Sequence, residues 1–477
     1  MTCARSAVAS SVNFAPVGLR LRGYVVDPVR GRHLEARIPH TFVPGAPGGA
    51  DRLVTEGPSN NSVTMQVLPP AVEHGPPVDA SGRVPLIFLV ADTGGGHRAA
   101  ARAVSEALEA AYPGRFEPVL VDPLGGPDAS MVLRRLTSLY GPSIRLAPWT
   151  WGAVYYAADS HTMMALLRRT VFKLAERPVI EAVDRYGPAA IVSFHPLVGN
   201  AAVAGRERAR IGTPAITVVT DLITPHTAWR YNRVDTLVVP SASVRWRCHL
   251  DGISADRCLE LGLPVRAPFT RPPLRGGAER GALRRRLGLP SERFIVLLTG
   301  GGEGSGGLAR RAGALVKRAP DVDVVAICGR NQGLQKRLER LARRAGGRLH
   351  VQGFVENMAD WLRAADVVVS KAGPGTIAEA TACGAPLLLT SHVPGQEKGN
   401  TEFVVGAGAG SHVPGIDDLV AEVERLRGDP AAVESMRGAA ARLSRPHAAA
   451  DIAALIAASL GIERLEPDVT LGAVAES

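Results

Sequence analysis

A glycine turn followed by a carboxylate gives this sequence its clearest candidate binding site. Gly373 and Gly375 bracket Pro374 just before a predicted helix over 376–383. Backbone N–H groups at the start of a helix lack intrahelical partners, so they can donate to a diphosphate. Glu379 follows one turn later, where its carboxylate could accept two ribose hydroxyls. Taken alone, the turn is equally compatible with an ordinary strand–helix connection.

A pair of polar residues follows the next apolar segment. The sequence over 386–390 predicts a short buried strand, and the loop after it carries Gln396 and Glu397. Parallel strands present their carboxyl ends at one edge of a sheet, so this pair should return to the same crevice as the glycine turn. Together the two groups suit a nucleotide sugar.

A second glycine loop lies nearer the start of the chain and ends in a histidine. The apolar run 86–91 predicts a buried parallel strand, and Gly94, Gly95, Gly96 and His97 then open a helix. A histidine at a helix start feels the positive end of the helix dipole, which favours neutral imidazole. Neutral imidazole can take a proton. A capping or surface role is the alternative for His97.

The same loop also fits another class of enzyme. Gly94, Gly96 and Ala99 have the G-x-G-x-x-A spacing of a dinucleotide-binding turn. A third glycine cluster, over 299–307, follows a predicted strand over 294–298 and precedes another helix. Two similar strand–glycine–helix units favour two α/β domains that face each other across a cleft, whereas a nicotinamide enzyme needs one such unit.

Several separate motifs, in order and spacing, carry a family resemblance. They are DTGGGHRAAA, HPLVGN, TDLITPHTAW, LGLPVRAPF, TGGGEGSGG, VAICGRN, VQGFVENM, SKAGPGTIAEA and PGQEKGN. From about residue 86 to about residue 458 the chain resembles monogalactosyldiacylglycerol synthases. These are related more distantly to the N-acetylglucosaminyltransferase that builds the lipid-linked peptidoglycan precursor.

The resemblance implies an α/β fold of the GT-B type, with two Rossmann-like domains that face a central cleft. The expected division is a poorly ordered extension (1–80), an acceptor and membrane domain (84–270), a linker (271–282), a UDP-sugar-binding domain (283–447), a helix that crosses back (448–462) and a tail (463–477). Proline and glycine over 271–281 predict that the linker has no regular structure.

The implied activity is transfer of a hexose, with inversion, from a UDP-sugar to the hydroxyl of diacylglycerol. Galactose is the expected sugar, and glucose or N-acetylglucosamine remain alternatives. No cofactor and no catalytic metal are expected, because helix N-termini can stabilise the departing diphosphate. A nucleotide-binding module without turnover is the alternative from another class.

The resemblance also assigns roles to individual residues. His97 matches the general base, and Gly94, Gly95 and Gly96 line the acceptor and diphosphate loop. Asp221 and His226 are assigned loosely to the acceptor side, whereas His195 is expected to be structural. The positions matched to donor binding are Gly301, Gly302, Glu303, Gly304, Phe354, Val355, Gly373, Pro374, Gly375, Thr376, Glu379, Gln396, Glu397 and Asn400.

Net charge and aromatic placement predict an anionic membrane surface as a partner. The formal charge is +10, and Trp149 and Trp151, which we assign to the acceptor side, lie between arginine pairs in the first domain. Interfacial bilayer regions accommodate both residue types. No nucleic-acid recognition motif accompanies the charge. A solvated arginine-rich face is the alternative.

Acidic pairs and cysteines complete the sequence-based expectations. Asp321 and Asp323 flank a strand start and are expected to be solvent-exposed, so no metal site is predicted there. The five cysteines show no metal-ligand spacing and predict a reduced protein. With no predicted membrane span and a lipid acceptor, the expected location is cytoplasmic, peripheral on the inner face of the cell membrane.

Overall fold

A computed structural model describes two units of the chain, residues 1–65 and 66–477. The described residues are 24–26, 33–35, 76–91, 95–146, 157–170, 172–209, 212–230, 233–272, 274, 276–301, 307–392 and 397–463. In the first unit, strands β1 (Tyr24–Val26) and β2 (His33–Glu35) pair in antiparallel fashion. Apart from these strands and residues 76–80, the predicted disorder over 1–80 falls outside the described residues.

The second unit contains two parallel six-stranded sheets. The strands of the first sheet are β3 (Val84–Leu89), β4 (Phe116–Val121), β5 (Ala190–Ser193), β6 (Ala215–Val218), β7 (Thr236–Val239) and β8 (Cys258–Glu260). Their spatial order is β4-β3-β5-β6-β7-β8. Every residue of β3 is buried, as expected for a strand covered on both faces.

Helices cover both faces of the first sheet. They are α1 (Gly95–Ala111), α2 (Met131–Leu146), α3 (His161–Arg169), α4 (Glu176–Tyr186), α5 (Gly199–Arg208), α6 (Thr227–Arg230) and α7 (Ala242–Leu250). Ala100, Val104 and Leu108 recur every four residues in α1, so they share one face, and all three are buried against the sheet.

The second sheet has the strand order of a dinucleotide-binding fold. Its strands are β9 (Phe294–Thr299), β10 (Val322–Ile327), β11 (Leu349–Gln352), β12 (Val367–Ser370), β13 (Leu387–Leu389) and β14 (Gly410–His412). The spatial order β11-β10-β9-β12-β13-β14 corresponds to 3-2-1-4-5-6. This confirms the predicted α/β architecture of two Rossmann-like sheets.

The helices of this part of the chain pack on the second sheet, apart from the last. They are α8 (Gly276–Arg286), α9 (Leu308–Arg318), α10 (Gln332–Ala342), α11 (Met358–Ala364), α12 (Pro374–Ala382), α13 (Lys398–Gly406), α14 (Ile416–Arg427), α15 (Pro430–Leu443) and α16 (Ala448–Ser459). Ile452, Leu455 and Ile456 of α16 are buried with residues of β3 and α1. The chain therefore returns to the first sheet at its end.

Two sequence-based expectations are wrong. Helix α8 begins at Gly276, so the second half of the predicted linker is helical. Glycine weakens a helix without preventing one, and Leu283 and Arg284 anchor this helix by burial. Asp323 is 3% exposed rather than solvated, because Arg293 and His350 both hydrogen-bond its carboxylate.

Candidate active site

Each sheet has a topological switch point, where the connections of two adjacent strands run in opposite directions. In both sheets the loops at this point are ones that the sequence predicted to be functional. In the first sheet the reversal lies between β3 and β5, which are followed by His97 and His195. In the second it lies between β9 and β12, which are followed by Gly301 and the turn at Gly373. Ligands of open α/β sheets bind outside the carboxyl ends of the strands at such points.

His97 lies in the first turn of α1 among polar and aromatic groups. Its Nδ1 is 2.8 Å from Thr220 Oγ1, at the end of β6. The His195 ring packs edge-on against it, with 4.6 Å between centroids, and the Trp229 ring centroid is 6.1 Å away. Three strand ends of the first sheet therefore contribute to the surroundings of one imidazole.

Burial controls the charge of both histidines. It lowers the pKa of His97 to about 4, although a hydrogen bond with the Phe194 backbone acts in the opposite direction. Burial, followed by the neighbouring His97, lowers the pKa of His195 well below its ordinary value. Both rings are therefore neutral near pH 7, and His97 has the protonation state that a general base requires.

Asp221 and His226, assigned to the acceptor side, are engaged in local hydrogen bonds. Trp229 Nε1 donates to Asp221 Oδ2 at 2.8 Å, and the His226 N–H donates to the same oxygen at 3.4 Å. His226 Nδ1 in turn accepts from the Ala228 N–H at 3.0 Å. These residues fix the wall that holds the Trp229 ring beside His97. Their contact with an acceptor stays a prediction.

The glycine turn of the second sheet starts a helix as predicted. Gly373 occupies the N-cap of α12, Pro374 is its first residue, and Gly375 and Thr376 complete its first turn. A Cβ on Gly375 would meet no atom of the described residues within 4 Å, which favours close approach of a ligand to the backbone. The first-turn N–H groups of α12 are suitably exposed donors for an anion.

A partly buried ion pair lies behind this turn. Lys371 Nζ is 2.7 Å from Glu397 Oε1, and Glu397 is 3% exposed. Asn400, 1% exposed, donates from Nδ2 to the Ala372 carbonyl at 2.9 Å, whereas its Oδ1 receives no hydrogen bond from the described residues. Glu397 and Asn400 therefore shape the strand end from which the turn departs.

Glu379 projects from α12 towards the first half of the chain. Burial raises the pKa of its carboxyl to about 7, and Arg266 partly offsets this. Arg266 Nε also lies 2.9 Å from both carboxylate oxygens of Glu106, on α1. The Arg266 guanidinium thus interacts with a carboxylate on the helix of His97 and influences the carboxylate on the helix of Glu379.

The remaining predicted residues divide into described and undescribed positions. Phe354 is 57% exposed after β11, with the Arg330 guanidinium 4.9 Å from its ring centroid, and Val355 follows it. Gly95 and Gly96 form the start of α1. Gly94, Gly302, Glu303, Gly304, Gln396, Trp149 and Trp151 lie outside the described residues.

Sequence reasoning missed three residues of the candidate site: Thr220, Arg266 and Lys371. Each occurs in a motif that was recognised, but its partner is remote in sequence: Thr220 contacts a residue 123 positions away, and Arg266 one 160 positions away. Their position next to strand ends was the available signal. Within the described chain, no cluster of three or more His, Cys, Asp or Glu side chains is placed to hold a metal ion.

Two parallel sheets with opposed switch-point loops define the class of the protein, a GT-B-type fold. The fold is similar to MurG of Acinetobacter baumannii (TM-score 0.50, 16% identity, covering 78% of this chain and 99% of that one). A putative UDP-N-acetylglucosamine 2-epimerase of Listeria monocytogenes is also similar (TM-score 0.52, 15% identity, 80% and 98%). At these identities the likeness concerns the fold alone.

Sequence comparison identifies the family. Residues 97–265 match the monogalactosyldiacylglycerol synthase model, and residues 295–450 match the glycosyltransferase family 28 C-terminal domain. A probable monogalactosyldiacylglycerol synthase 2 of Oryza sativa is 32% identical over 80% of each chain. Monogalactosyldiacylglycerol synthase 1 of Arabidopsis thaliana is 30% identical over 87% of this chain and 78% of its own. The chain belongs to the monogalactosyldiacylglycerol synthase family, and it is a glycosyltransferase.

These relatives bear on two expectations from the sequence, the nicotinamide-enzyme alternative and the predicted location. Family membership removes the nicotinamide enzyme, because the first glycine loop belongs to a glycosyltransferase motif. The predicted cytoplasmic location on the inner face of the cell membrane is contradicted, since the relatives from Oryza and Arabidopsis are chloroplastic proteins of plants. That prediction rested on unpaired cysteines and on a lipid acceptor, which describe redox state and substrate but not compartment.

Proposed function

We propose that the protein transfers galactose from UDP-galactose to the hydroxyl of diacylglycerol, with inversion at the anomeric carbon. The observation that carries this proposal is a neutral imidazole on α1 together with a carboxylate on α12, with Arg266 interacting with carboxylates on both helices. A base on one side and a nucleotide site on the other suit a single displacement. The names of the relatives from Oryza and Arabidopsis support the sugar and the lipid acceptor.

The donor would bind along the second sheet. N–H groups of Gly375 and Thr376 would donate to the diphosphate, and ionised Glu379 would accept the ribose hydroxyls. Backbone groups at Phe354 and Val355 would contact uracil, and the loop carrying Gln396 and Glu397 would contact the sugar. As the bond to the diphosphate breaks, negative charge grows on its oxygens, and the helix dipole stabilises it. This arrangement would work without a catalytic metal.

The acceptor would bind between His97 and the anomeric carbon. His97 would take the hydroxyl proton while the acceptor oxygen attacks, and UDP would leave from the opposite face of the sugar. One C–O bond forms as the other breaks, and the proton ends on the imidazole. Its low pKa keeps the ring unprotonated until that step, and the negative charge of bound UDP would then favour the imidazolium.

An apolar and basic surface supports access to a membrane-bound acceptor. Met131, Val132 and Leu136 on α2, and Leu166 on α3, are 52–60% exposed. Residues 131–175 contain six Arg or Lys against a single Asp. Apolar side chains flanked by cations favour the headgroup layer of an anionic bilayer. Within the described residues, no helix combines the length and hydropathy needed to cross a membrane.

The α3 part of this surface is packed against the wall beside His97. Met164 of α3 is buried with Ala228, and Asp159 Oδ1 accepts from the Thr227 N–H at 2.7 Å. Trp229, in the same short helix as Ala228, contacts the surroundings of His97. A lipid entering from this surface would therefore have only a short distance to travel to the base.

His97→Ala tests the proposal with purified protein, diacylglycerol in vesicles and UDP-galactose. We expect kcat to fall by about 10²- to 10⁴-fold, the usual contribution of a general base, while UDP affinity measured by calorimetry stays unchanged. Assays with UDP-glucose and UDP-N-acetylglucosamine decide which sugar is transferred. NMR of the product anomer shows whether the configuration is inverted, and activity in the presence of EDTA shows whether a metal is needed. Full turnover in the variant would remove His97 from the mechanism.

Vesicle flotation tests the membrane surface. Leu136→Glu combined with Leu166→Glu should reduce binding to vesicles containing anionic lipid, because it places charge where apolar contact is needed. Leu250→Glu, at a comparably exposed leucine (56%) on α7, is the matched control and should bind normally. Equal binding by both variants would contradict the assigned surface.

A further inference from the structure

Within the part of the chain that the structure describes, Thr220 provides the side-chain hydrogen bond to the His97 ring. Its Oγ1 lies 2.8 Å from Nδ1, and Thr220 is 3% exposed, so solvent does not compete effectively for this contact. The residue follows β6, whereas His97 follows β3, and β5 lies between the two strands. The sheet itself therefore sets the spacing between hydroxyl and imidazole.

The carboxylate next to Thr220 is committed elsewhere. Asp221 would be the usual kind of group to orient a catalytic histidine, but its Oδ2 receives the Trp229 indole N–H at 2.8 Å. Among the described residues, no carboxylate contributes to the pKa of His97, and the other hydrogen bond to its ring involves the Phe194 backbone. The side chain that orients this imidazole is therefore a neutral hydroxyl.

Two arrangements of the proton are possible between Nδ1 and Oγ1. If the hydroxyl donates, Nδ1 accepts and the other nitrogen, Nε2, carries the ring proton, so no basic nitrogen remains. If Nδ1–H donates, Oγ1 accepts and Nε2 keeps a free lone pair. Only the second arrangement leaves a base for the acceptor hydroxyl.

We propose that Thr220 is a positioning residue that accepts a hydrogen bond from Nδ1–H of His97 and so holds Nε2 in its basic form towards the acceptor. The inference rests on the proposed role of His97 as the base. A threonine oxygen has lone pairs to accept from Nδ1–H while its own proton points elsewhere. Because the partner is neutral, it fixes the tautomer and ring orientation without the pKa rise that a carboxylate would cause.

Substitution of Thr220 separates positioning from structural support. Thr220→Val keeps the shape and removes the hydrogen bond, and Thr220→Ser restores it. We expect Thr220→Val to lower kcat by about 10- to 100-fold, part of what a positioned base contributes, with KM for the sugar nucleotide within about twofold of wild type. Thr220→Ser should recover most of kcat.

Thr217 supplies the matched control. It lies on β6, is fully buried, and its Oγ1 has no hydrogen-bond partner among the described residues. Thr217→Val should therefore keep wild-type kcat, and thermal unfolding of all three variants checks their folding. If Thr220→Val keeps wild-type kcat, or if Thr217→Val loses as much, the positioning role is refuted.

The tautomer can be read directly, without turnover. ¹⁵N NMR of histidine-labelled protein, assigned with His97→Ala, should show a protonated Nδ1 in wild type and a mixture of tautomers in Thr220→Val. A protonated Nε2 in wild type would overturn the inference even if His97 is essential. Full activity of His97→Ala would instead refute the proposed base, so the two failures are distinguishable.

Discussion

Glu379 is the residue whose charge state we expect to control donor binding. Burial raises the pKa of its carboxyl to about 7, and only the ionised form accepts both ribose hydroxyls. UDP affinity should therefore decrease as pH falls from 8 to 6. Calorimetric titration of UDP across that range measures it. Glu379→Gln should weaken UDP binding by about 10- to 100-fold, and a pH-independent affinity in wild type would contradict this role.

The raised pKa of Glu379 also makes the stability of the fold depend on pH. A carboxyl whose pKa is raised on folding, from 4.5 to about 7, stabilises the fold fully below 4.5 and loses that contribution as pH rises through 7. Glu379→Gln removes the ionisable group. The variant should gain stability relative to wild type between pH 5 and pH 8, measured by urea denaturation at each pH. If the difference in unfolding free energy between the variant and wild type does not change with pH, the pKa of Glu379 is not near 7.

At this scale the sequence predicts residue types better than their contacts. The position of His97 at a helix start, and that of Glu379 one turn into a helix, followed from glycine turns after apolar runs. The interaction of Arg266 with both of their helices could not be predicted, because Glu106 and Glu379 come from separate parts of the chain. Asp323 shows the opposite error, since its burial depends on Arg293 and His350 from neighbouring strands.

Among the elements, α13 and the loop before α6 form a close contact between the two halves. A Cβ on Gly399 would lie 2.6 Å from Thr224 Oγ1 and 2.9 Å from Ile223 Cγ2, too close for ordinary packing. Gly399→Ala should push these elements apart and widen the cleft, lowering kcat by about tenfold, as misplacement of reacting groups does. Gly406→Ala, on the same helix with no atom within 4 Å, should leave kcat unchanged.

Element positions were largely predictable because the apolar runs of parallel strands are continuous. The predicted strand over 294–298 is extended by one residue in β9, and the helix expected over 376–383 begins two residues earlier, at Pro374. Proline at the first helical position lacks an N–H that would be unpaired there anyway. Helix α8 was missed because local glycine and proline outweighed the burial that only tertiary packing provides.

For the whole molecule, the return of α16 to the first sheet couples the two ends of the described fold. Ile456 is fully buried with residues of β3 and α1, the helix that carries His97. Ile456→Ala should cost about 2–4 kcal/mol of unfolding free energy by leaving a cavity, measured by urea denaturation. Ala454→Gln, at an exposed position of the same helix, should cost little.

Amide hydrogen exchange shows which elements lose stability in Ile456→Ala, and so whether α16 supports the helix of His97. Because α1 packs on both α16 and the first sheet, amide hydrogen exchange should accelerate in β3 and α1 of Ile456→Ala, although the substitution lies more than 340 residues away in sequence. The second sheet, whose cores do not include α16, should keep its protection. Faster exchange confined to α16 would mean that the terminal helix frays independently and does not support the helix of His97.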